Sequence, residues 1–115
     1  MKNIILFLLL AVSAVRADQH PSFQLDAAAK RKLVERTLAL KVGDSYDSVT
    51  NALGVPTIDQ TLMKKETNRI VGRSLTYYAV IWERGSVNEL NDEFVDVSLD
   101  ERNRVSSVLI RINLK

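Results

Sequence analysis

The chain has 115 residues, with 16 lysine and arginine residues against 14 acidic residues, one histidine and no cysteine. The lack of cysteine excludes disulfide bonds, thiolate metal sites, thiol catalysis and lipidation of an N-terminal cysteine. The length suits one compact domain, too small to enclose a large cofactor, and we expect no cofactor.

Residues 1–17 have the order of a secretory signal peptide. Lys2 precedes an apolar run that begins at Ile4, and small residues follow up to Ala17. This run is shorter than the ~20 apolar residues that a membrane-spanning helix needs. Removing Lys2 and Arg16 from the 16 basic residues leaves 14, equal to the 14 acidic residues, which argues against a nucleic-acid binder. The sequence therefore predicts an exported protein without a membrane-spanning helix.

Residues 18–24 mix polar groups with a proline and show no hydrophobic period, so we predict a flexible arm there. The rest of the chain, residues 25–115, is predicted to form a single domain. Asp26 is expected to cap a first helix, in which apolar residues recur at helical spacing as far as Leu40.

A second, short helix is predicted between Asp44, whose carboxylate is expected to cap it, and Gly54. Pro56 prevents its continuation. The next residues, 57–72, are ambiguous, because they combine a candidate short strand or turn at 58–63 with a polar stretch that resembles a loop.

Three strands are predicted in the second half of the chain. The segment 74–83 is rich in aromatic and β-branched residues, and the segments 94–99 and 105–114 alternate apolar and polar residues. Residues 100–103 are expected to form a tight hairpin in which Asn103 adopts a positive φ. The predicted fold is therefore α+β, with two helices on one face of a three-stranded antiparallel meander, an ααβββ order.

The chain offers little for catalysis or metal binding. His20 is the single histidine and lies in the predicted arm, where nothing would hold it beside a nucleophile. The acidic residues Asp92, Glu93, Asp96 and Asp100 lack the glycine and glutamate spacing of a calcium loop. We expect no metal site and no enzyme activity, and a carboxylate enzyme built on Asp96 is the weakest alternative.

A basic group lies on the predicted first helix. Its members are Lys30, Arg31, Lys32 and Arg36. One interpretation is a surface for an anionic partner such as lipid head groups. The other is the solvated face of an amphipathic helix, which lysine and arginine usually cover.

Aromatic residues on the predicted sheet form a second candidate surface. By period two, at least one of Tyr77, Tyr78 and Trp82 must point away from the helices. The candidate partner-binding residues are Tyr77, Tyr78, Trp82, Phe94, Leu109 and Arg111. Apolar patches with tyrosine and tryptophan are typical of partner surfaces. The alternative is that the arm and residues 57–72 fold over this face.

The second helix is bounded by two short motifs. Val42-Gly43-Asp44-Ser45 lies at its start, and Val49, Ala52-Leu53-Gly54 and Pro56 lie at its end. Through these motifs the segment from Lys41 to Pro56 resembles the SmpA/OmlA (BamE-like) family. An aromatic strand, a polar loop, a strand and a hairpin follow in the same order, so the resemblance extends over about residues 25–112.

This resemblance implies an ααβββ fold, a place in a Gram-negative envelope and a role in holding proteins together during outer-membrane assembly. Family members on the outer membrane usually carry a lipidated cysteine, which this chain lacks, so the resemblance implies a soluble periplasmic form or a secreted one. The same small fold is similar to each half of the secreted β-lactamase-inhibitor proteins. The leading expectation is thus a non-enzymatic envelope adaptor, and the alternative is an inhibitor or ligand-binding module for an exported enzyme. A free edge strand is also expected to allow two copies to pair.

Overall fold

The computed structural model describes residues 20–114 and shows two helices on one face of an antiparallel sheet. The elements, in chain order, are strand β1 (Phe23–Gln24), helix α1 (Ala27–Leu38), helix α2 (Tyr46–Leu53), strand β2 (Ile58–Lys64), strand β3 (Arg69–Ile81), a 3₁₀ turn (Val87–Asn91), strand β4 (Glu93–Leu99) and strand β5 (Val105–Arg111). The predicted leader and the first two residues of the predicted arm lie outside the described residues. Within the described residues, neither helix has the length and hydrophobicity needed to cross a bilayer.

The predicted three-stranded ααβββ fold is wrong in its strand number, although its α+β class is correct. The sheet has five strands, with β1 and β2 both paired to one edge of β3 and with β4 and β5 following on the other side. All pairings are antiparallel. The helices lie before most of the sheet in the chain, as predicted, but β1 precedes them.

The sequence of strand β2 is ambiguous because Ile58 and Leu62 do not face the helices. Ile58 and Leu62 pair with Thr76 and Gly72 of β3, on the sheet face opposite the helices, while Asp59 pairs with Leu75 on the covered face. Every residue of β2 is exposed. An edge strand with a polar residue towards the core gives no buried alternating pattern, so periodicity alone could not identify it.

Strands β1 and β2 lie end to end along β3, and Thr57 completes the hydrogen bonding between them. The N–H of Leu25 donates to the carbonyl of Ala79, and the N–H of Thr57 donates to Thr76, both at 2.8 Å. In the gap, the N–H of Tyr78 donates to Thr57 Oγ1 at 3.3 Å. The segments expected to fold over the sheet therefore extend its edge instead, and its outer face is not covered by them.

The short helix α2 begins one residue later than predicted. Its cap is Ser45, whose Oγ accepts a hydrogen bond from the N–H of Ser48 at 3.1 Å. The Asp44 carboxylate accepts from the N–H of Lys41 at 2.8 Å and so stabilises the preceding turn. Gly54 ends the helix with a φ of 85°, a conformation that favours glycine.

The core lies between the two helices and the central strands. Its buried members are Val49, Leu75, Tyr77, Val95, Val97, Leu99 and Val105. Leu33 and Leu53 of the helices pack against it from one side, and Ile110 of β5 packs at its margin. One sheet face is thus filled with β-branched and aromatic side chains, and we call the opposite face the open face.

Candidate functional site

The open face carries an apolar patch that crosses the sheet. Tyr78 of β3 pairs with Phe94 of β4, and their ring centroids are 5.8 Å apart with a tilt of 58°. Phe94 pairs in turn with Arg111 of β5, and the next pair on the same face is Asp96 with Leu109. The patch therefore follows directly from the register of three neighbouring strands.

Strand β2 widens this patch on the other side of β3. Ile58 is 46% exposed and Leu62 is 40% exposed, and both lie on the open face by their register with β3. Leu109 is 57% exposed at the opposite side of the sheet. Neither β2 residue was among the predicted site residues, because assigning them to this face required the strand itself to be recognised.

Two arginines lie beside the aromatic rings of the patch. The Arg84 guanidinium carbon is 5.8 Å from the Tyr78 ring centroid, and that of Arg111 is 5.9 Å from the Phe94 ring centroid. Arg111 also donates to the carbonyl of Leu90. Such cation–π contacts hold both guanidinium groups near the rim of the patch.

Arg84 is fixed by two carboxylates of the loop that follows β3. It forms ion pairs with Glu89 at 3.1 Å and with Asp92 at 2.7 Å, and these partners raise the pKa of its guanidinium group. Asp92 also accepts from the backbone N–H of Trp82 at 2.7 Å, where the half-buried tryptophan leaves the end of β3. The loop therefore supports the patch at the Tyr78 end.

The structure separates the predicted aromatic residues between two sheet faces. Tyr78, Phe94, Leu109 and Arg111 share the open face. Tyr77 instead lies in the core, 5% exposed, with its hydroxyl donating to the Gly54 carbonyl at 2.9 Å. Burial raises the pKa of this hydroxyl to about 12, with nearby Tyr46 and Asp59 adding to the effect.

The basic helix group is divided in a similar way. Lys30 is 9% exposed and its Nζ lies 3.2 Å from Oε1 of Glu93, so it connects α1 to β4 and faces the interior. Arg31, Lys32 and Arg36 are exposed. Lys30 therefore does not belong to the surface that the other three residues form.

A groove with a volume of about 310 Å³ lies beside the exposed basic residues. Its apolar lining is formed by Leu25, Ala29, Leu33, Leu53, Val55, Tyr77 and Tyr78. Lys32, Arg36 and Thr57 supply its polar groups, and among the described residues no carboxylate lines it. Arg36 Nη1 is 3.5 Å from the carbonyl of Ala52, and among the described residues neither Lys32 nor Arg36 forms an ion pair.

The acidic residues of the second half are used within the fold. Asp96 accepts from the Ser74 hydroxyl at 2.6 Å, and Asp100 accepts from the N–H groups of Arg102 and Arg104 in the hairpin. The predicted positive φ of Asn103 in this hairpin is observed at 62°. Within the described part of the chain, no group of three or more acidic, histidine or cysteine residues is placed to hold a metal ion.

A partly exposed polar cluster on the helix side of the sheet stabilises the junction of α2, β2 and β3. Arg73 donates from Nε and Nη2 to the two oxygens of Asp59, at 2.6 and 2.7 Å, and its guanidinium carbon lies 4.1 Å from the Tyr46 ring centroid. Tyr46 donates its hydroxyl to Asp59 at 3.0 Å. The hydrogen bonds from Arg73 lower the pKa of Asp59, so this carboxylate remains paired and serves the fold.

Comparison of the chain with family models, curated proteins and solved structures finds no match. The resemblance of the α2 segment to the SmpA/OmlA family therefore stays a prediction from the sequence motif.

Proposed function

We propose that the protein is a non-enzymatic adaptor of the cell envelope, exported to the periplasm, that binds a protein partner through its open face. The supporting observation is the patch of Tyr78, Phe94, Leu109, Ile58 and Leu62, which the helices leave uncovered. Aromatic residues in a patch and arginines at its rim match the composition of protein interfaces. The predicted leader and the SmpA/OmlA resemblance support the envelope as the place where this partner is found.

Tyr78→Ala and Phe94→Ala are expected to weaken recovery of the partner at least about tenfold, because truncating an aromatic residue of the patch removes a binding hot spot. The measurement is crosslinking, affinity purification and mass spectrometry of the chain expressed in its host at native level. Leu38→Ala is the matched control, since Leu38 is 68% exposed at the end of α1 and lies outside the patch.

Circular dichroism must first show that each variant keeps the fold of the parent protein. Partner recovery that is equal for the parent, Tyr78→Ala and Phe94→Ala would contradict the proposal. Recovery of outer-membrane assembly components would support the specific role that the SmpA/OmlA resemblance implies. Recovery of a single exported hydrolase would instead favour the inhibitor function.

The groove between α1, α2 and β3 supports a second candidate function, a ligand-binding module. Its volume of about 310 Å³ is at the lower end of the range for small-molecule sites, and its lining is mainly apolar. Lys32 and Arg36 provide two cations at its polar side. This arrangement suits a small amphiphile with an apolar body and a carboxylate.

Decanoate is a suitable probe for the groove, and Lys32→Ala combined with Arg36→Ala is expected to weaken its binding by about 1 kcal/mol or more, because two ionic contacts are lost. Isothermal titration calorimetry measures the affinity. Arg31→Ala is the control, since Arg31 is an exposed cation on the same helix outside the groove lining. Equal affinities of the parent and the double variant, or no binding by the parent, would exclude this function for carboxylates.

A further inference from the structure

The outer edge of β5 is occupied at its beginning by the loop before α2. The N–H of Gly43 donates to the carbonyl of Val105, and the N–H of Val105 donates to the carbonyl of Asp44, both at 2.8 Å. Ser45 forms an isolated antiparallel bridge with Arg104 next to this point. No further strand can therefore pair with β5 as far as Val105.

Beyond the far end of β5, the chain is held against β4. The N–H of Asn113 donates to Glu93 Oε1 at 2.7 Å, so the residues after Arg111 are tied to the neighbouring strand. Between the two ends, the stretch Ser107–Arg111 has no strand on its outer side within the described residues. Leu109 is the middle residue of this stretch.

The Ser107–Arg111 stretch has few of the features that protect an edge strand from pairing. Its first four residues include no charged residue and no proline. Val108 is 39% exposed and Leu109 is 57% exposed, on opposite sheet faces. The other edge, β2, contains Asp59 and a register shift after Leu62, and is better protected.

The backbone directions along this edge follow from the observed hydrogen bonds. The N–H and carbonyl groups of Val105 both point away from β4 and are hydrogen-bonded to the loop before α2. The bulge at Ser106 shifts the alternation by one residue, since Val105 pairs with Leu99 and Ser107 pairs with Ser98. The outward groups beyond the bulge are then those of Val108 and Ile110.

We propose that two copies of this chain pair through antiparallel β5 strands, about a twofold axis at Leu109. In this register Leu109 lies opposite Leu109 of the second copy. Val108 of one copy lies opposite Ile110 of the other, and Arg111 of one copy lies opposite Ser107 of the other. Every apolar residue meets an apolar residue, and no charged residue meets one of the same sign. Val108 of each chain and Ile110 of the other chain form a hydrogen-bonded pair. There are two such pairs, each with two hydrogen bonds, so about four hydrogen bonds join the chains.

The geometry of the β5 edge favours a second copy of the chain as the partner and determines the register of the pairing. The free stretch is symmetric about Leu109, so a twofold axis there uses all of it in both chains. A shift of the register in one direction would drive the partner into the loop that covers Val105. The axis is perpendicular to the sheet, so both open faces lie on the same side of the pair and form one continuous surface. An interface of one strand pair is small, and we expect a weak dimer.

The first test is disulfide crosslinking of single-cysteine variants, since the chain has no cysteine of its own. Opposed residues of a non-hydrogen-bonded pair have Cα atoms ~4.5 Å apart, within the ~4.4–6.8 Å that a disulfide spans. Leu109→Cys is therefore expected to shift from the monomer mass to the dimer mass under mild oxidation. Val108→Cys is expected to crosslink poorly, because its counterpart is Ile110 of the other chain.

Leu62→Cys is the matched control, because Leu62 is a partly exposed leucine of the open face on the opposite edge of the sheet. Crosslinking that is equal for Leu109→Cys and Leu62→Cys would show random collision and overturn the proposal. Crosslinking that is stronger for Val108→Cys than for Leu109→Cys would overturn the twofold register.

Sedimentation equilibrium of the unsubstituted protein provides an independent measurement. The mean mass is expected to rise from monomer towards dimer between about 1 μM and about 1 mM, the range of a weak complex. Leu109→Lys, which brings two ammonium groups together at the axis, is expected to abolish this rise, whereas Leu62→Lys should retain it. A monomer mass throughout that range would overturn the dimer. Because this test uses the protein alone, its outcome is separate from that of the partner purification.

Discussion

Leu75→Ala is expected to lower the free energy of unfolding by about 2–5 kcal/mol, the range of leucine truncations that leave a cavity in a packed core. Leu75 is completely buried at the centre of β3, between Asp59 of β2 and Val97 of β4. The helices cover its side chain, so the space that it leaves cannot fill with solvent without opening the domain. Urea denaturation followed by circular dichroism measures the change.

Leu109→Ala is the matched control for this prediction. It makes the same chemical change at a leucine of the open face that is 57% exposed. The variant is expected to lower the free energy of unfolding by less than about 1 kcal/mol, because little apolar area returns to water and no cavity forms. Similar losses for the two variants would contradict the placement of the helices on the Leu75 face of the sheet.

The parts of the fold that could be predicted from sequence are those in which local chemistry and burial agree. Asp26 caps α1 as predicted, with Oδ1 accepting from the Ala29 N–H at 2.7 Å. Strand β4, which strand β5 follows, alternates buried and half-buried side chains because one of its faces lies against the core. Asn103 adopts a positive φ in the hairpin between them. In each case the signal lies within a few residues of the structure that it specifies.

The parts that could not be predicted depend on contacts between distant residues. Strand β2 has Asp59 on its covered face, where the bidentate contact with Arg73 and the hydrogen bond from the Tyr46 hydroxyl make that position favourable. Strand β1 is two residues long and exists through pairing with the end of β3. A window of sequence around either segment contains none of these partners.

The candidate site shows the same division. Period two requires that Tyr77 and Tyr78 point to opposite faces, but it does not say which one faces the helices. The hydroxyl of Tyr77 reaches the carbonyl of Gly54 at the end of α2, and this long-range contact fixes the choice. Lys30 was grouped with exposed basic residues because its partner, Glu93, lies 63 positions further along the chain.

Lys30→Met is expected to lower the free energy of unfolding by about 2–3 kcal/mol, somewhat less than the ~3–5 kcal/mol for breaking a fully buried ion pair. The side chains of Lys30 and Glu93 are 11% and 18% exposed, so water compensates only part of the loss. Methionine keeps the apolar length of the lysine stem, and the main change is therefore the missing charge beside Glu93.

The double variant Lys30→Met and Glu93→Gln separates the charge from the packing. Glutamine keeps an oxygen that can accept from the Asn113 N–H, which donates to Glu93 Oε1 in the parent protein. If the cost of Lys30→Met comes from an unpaired carboxylate, neutralising Glu93 should restore at least half of the lost stability. Arg31→Met, at an exposed neighbouring position, should change the stability by less than about 0.5 kcal/mol. Denaturation curves that give Lys30→Met and Arg31→Met the same stability would place Lys30 on the solvated face of α1, where the sequence alone had grouped it with Lys32 and Arg36.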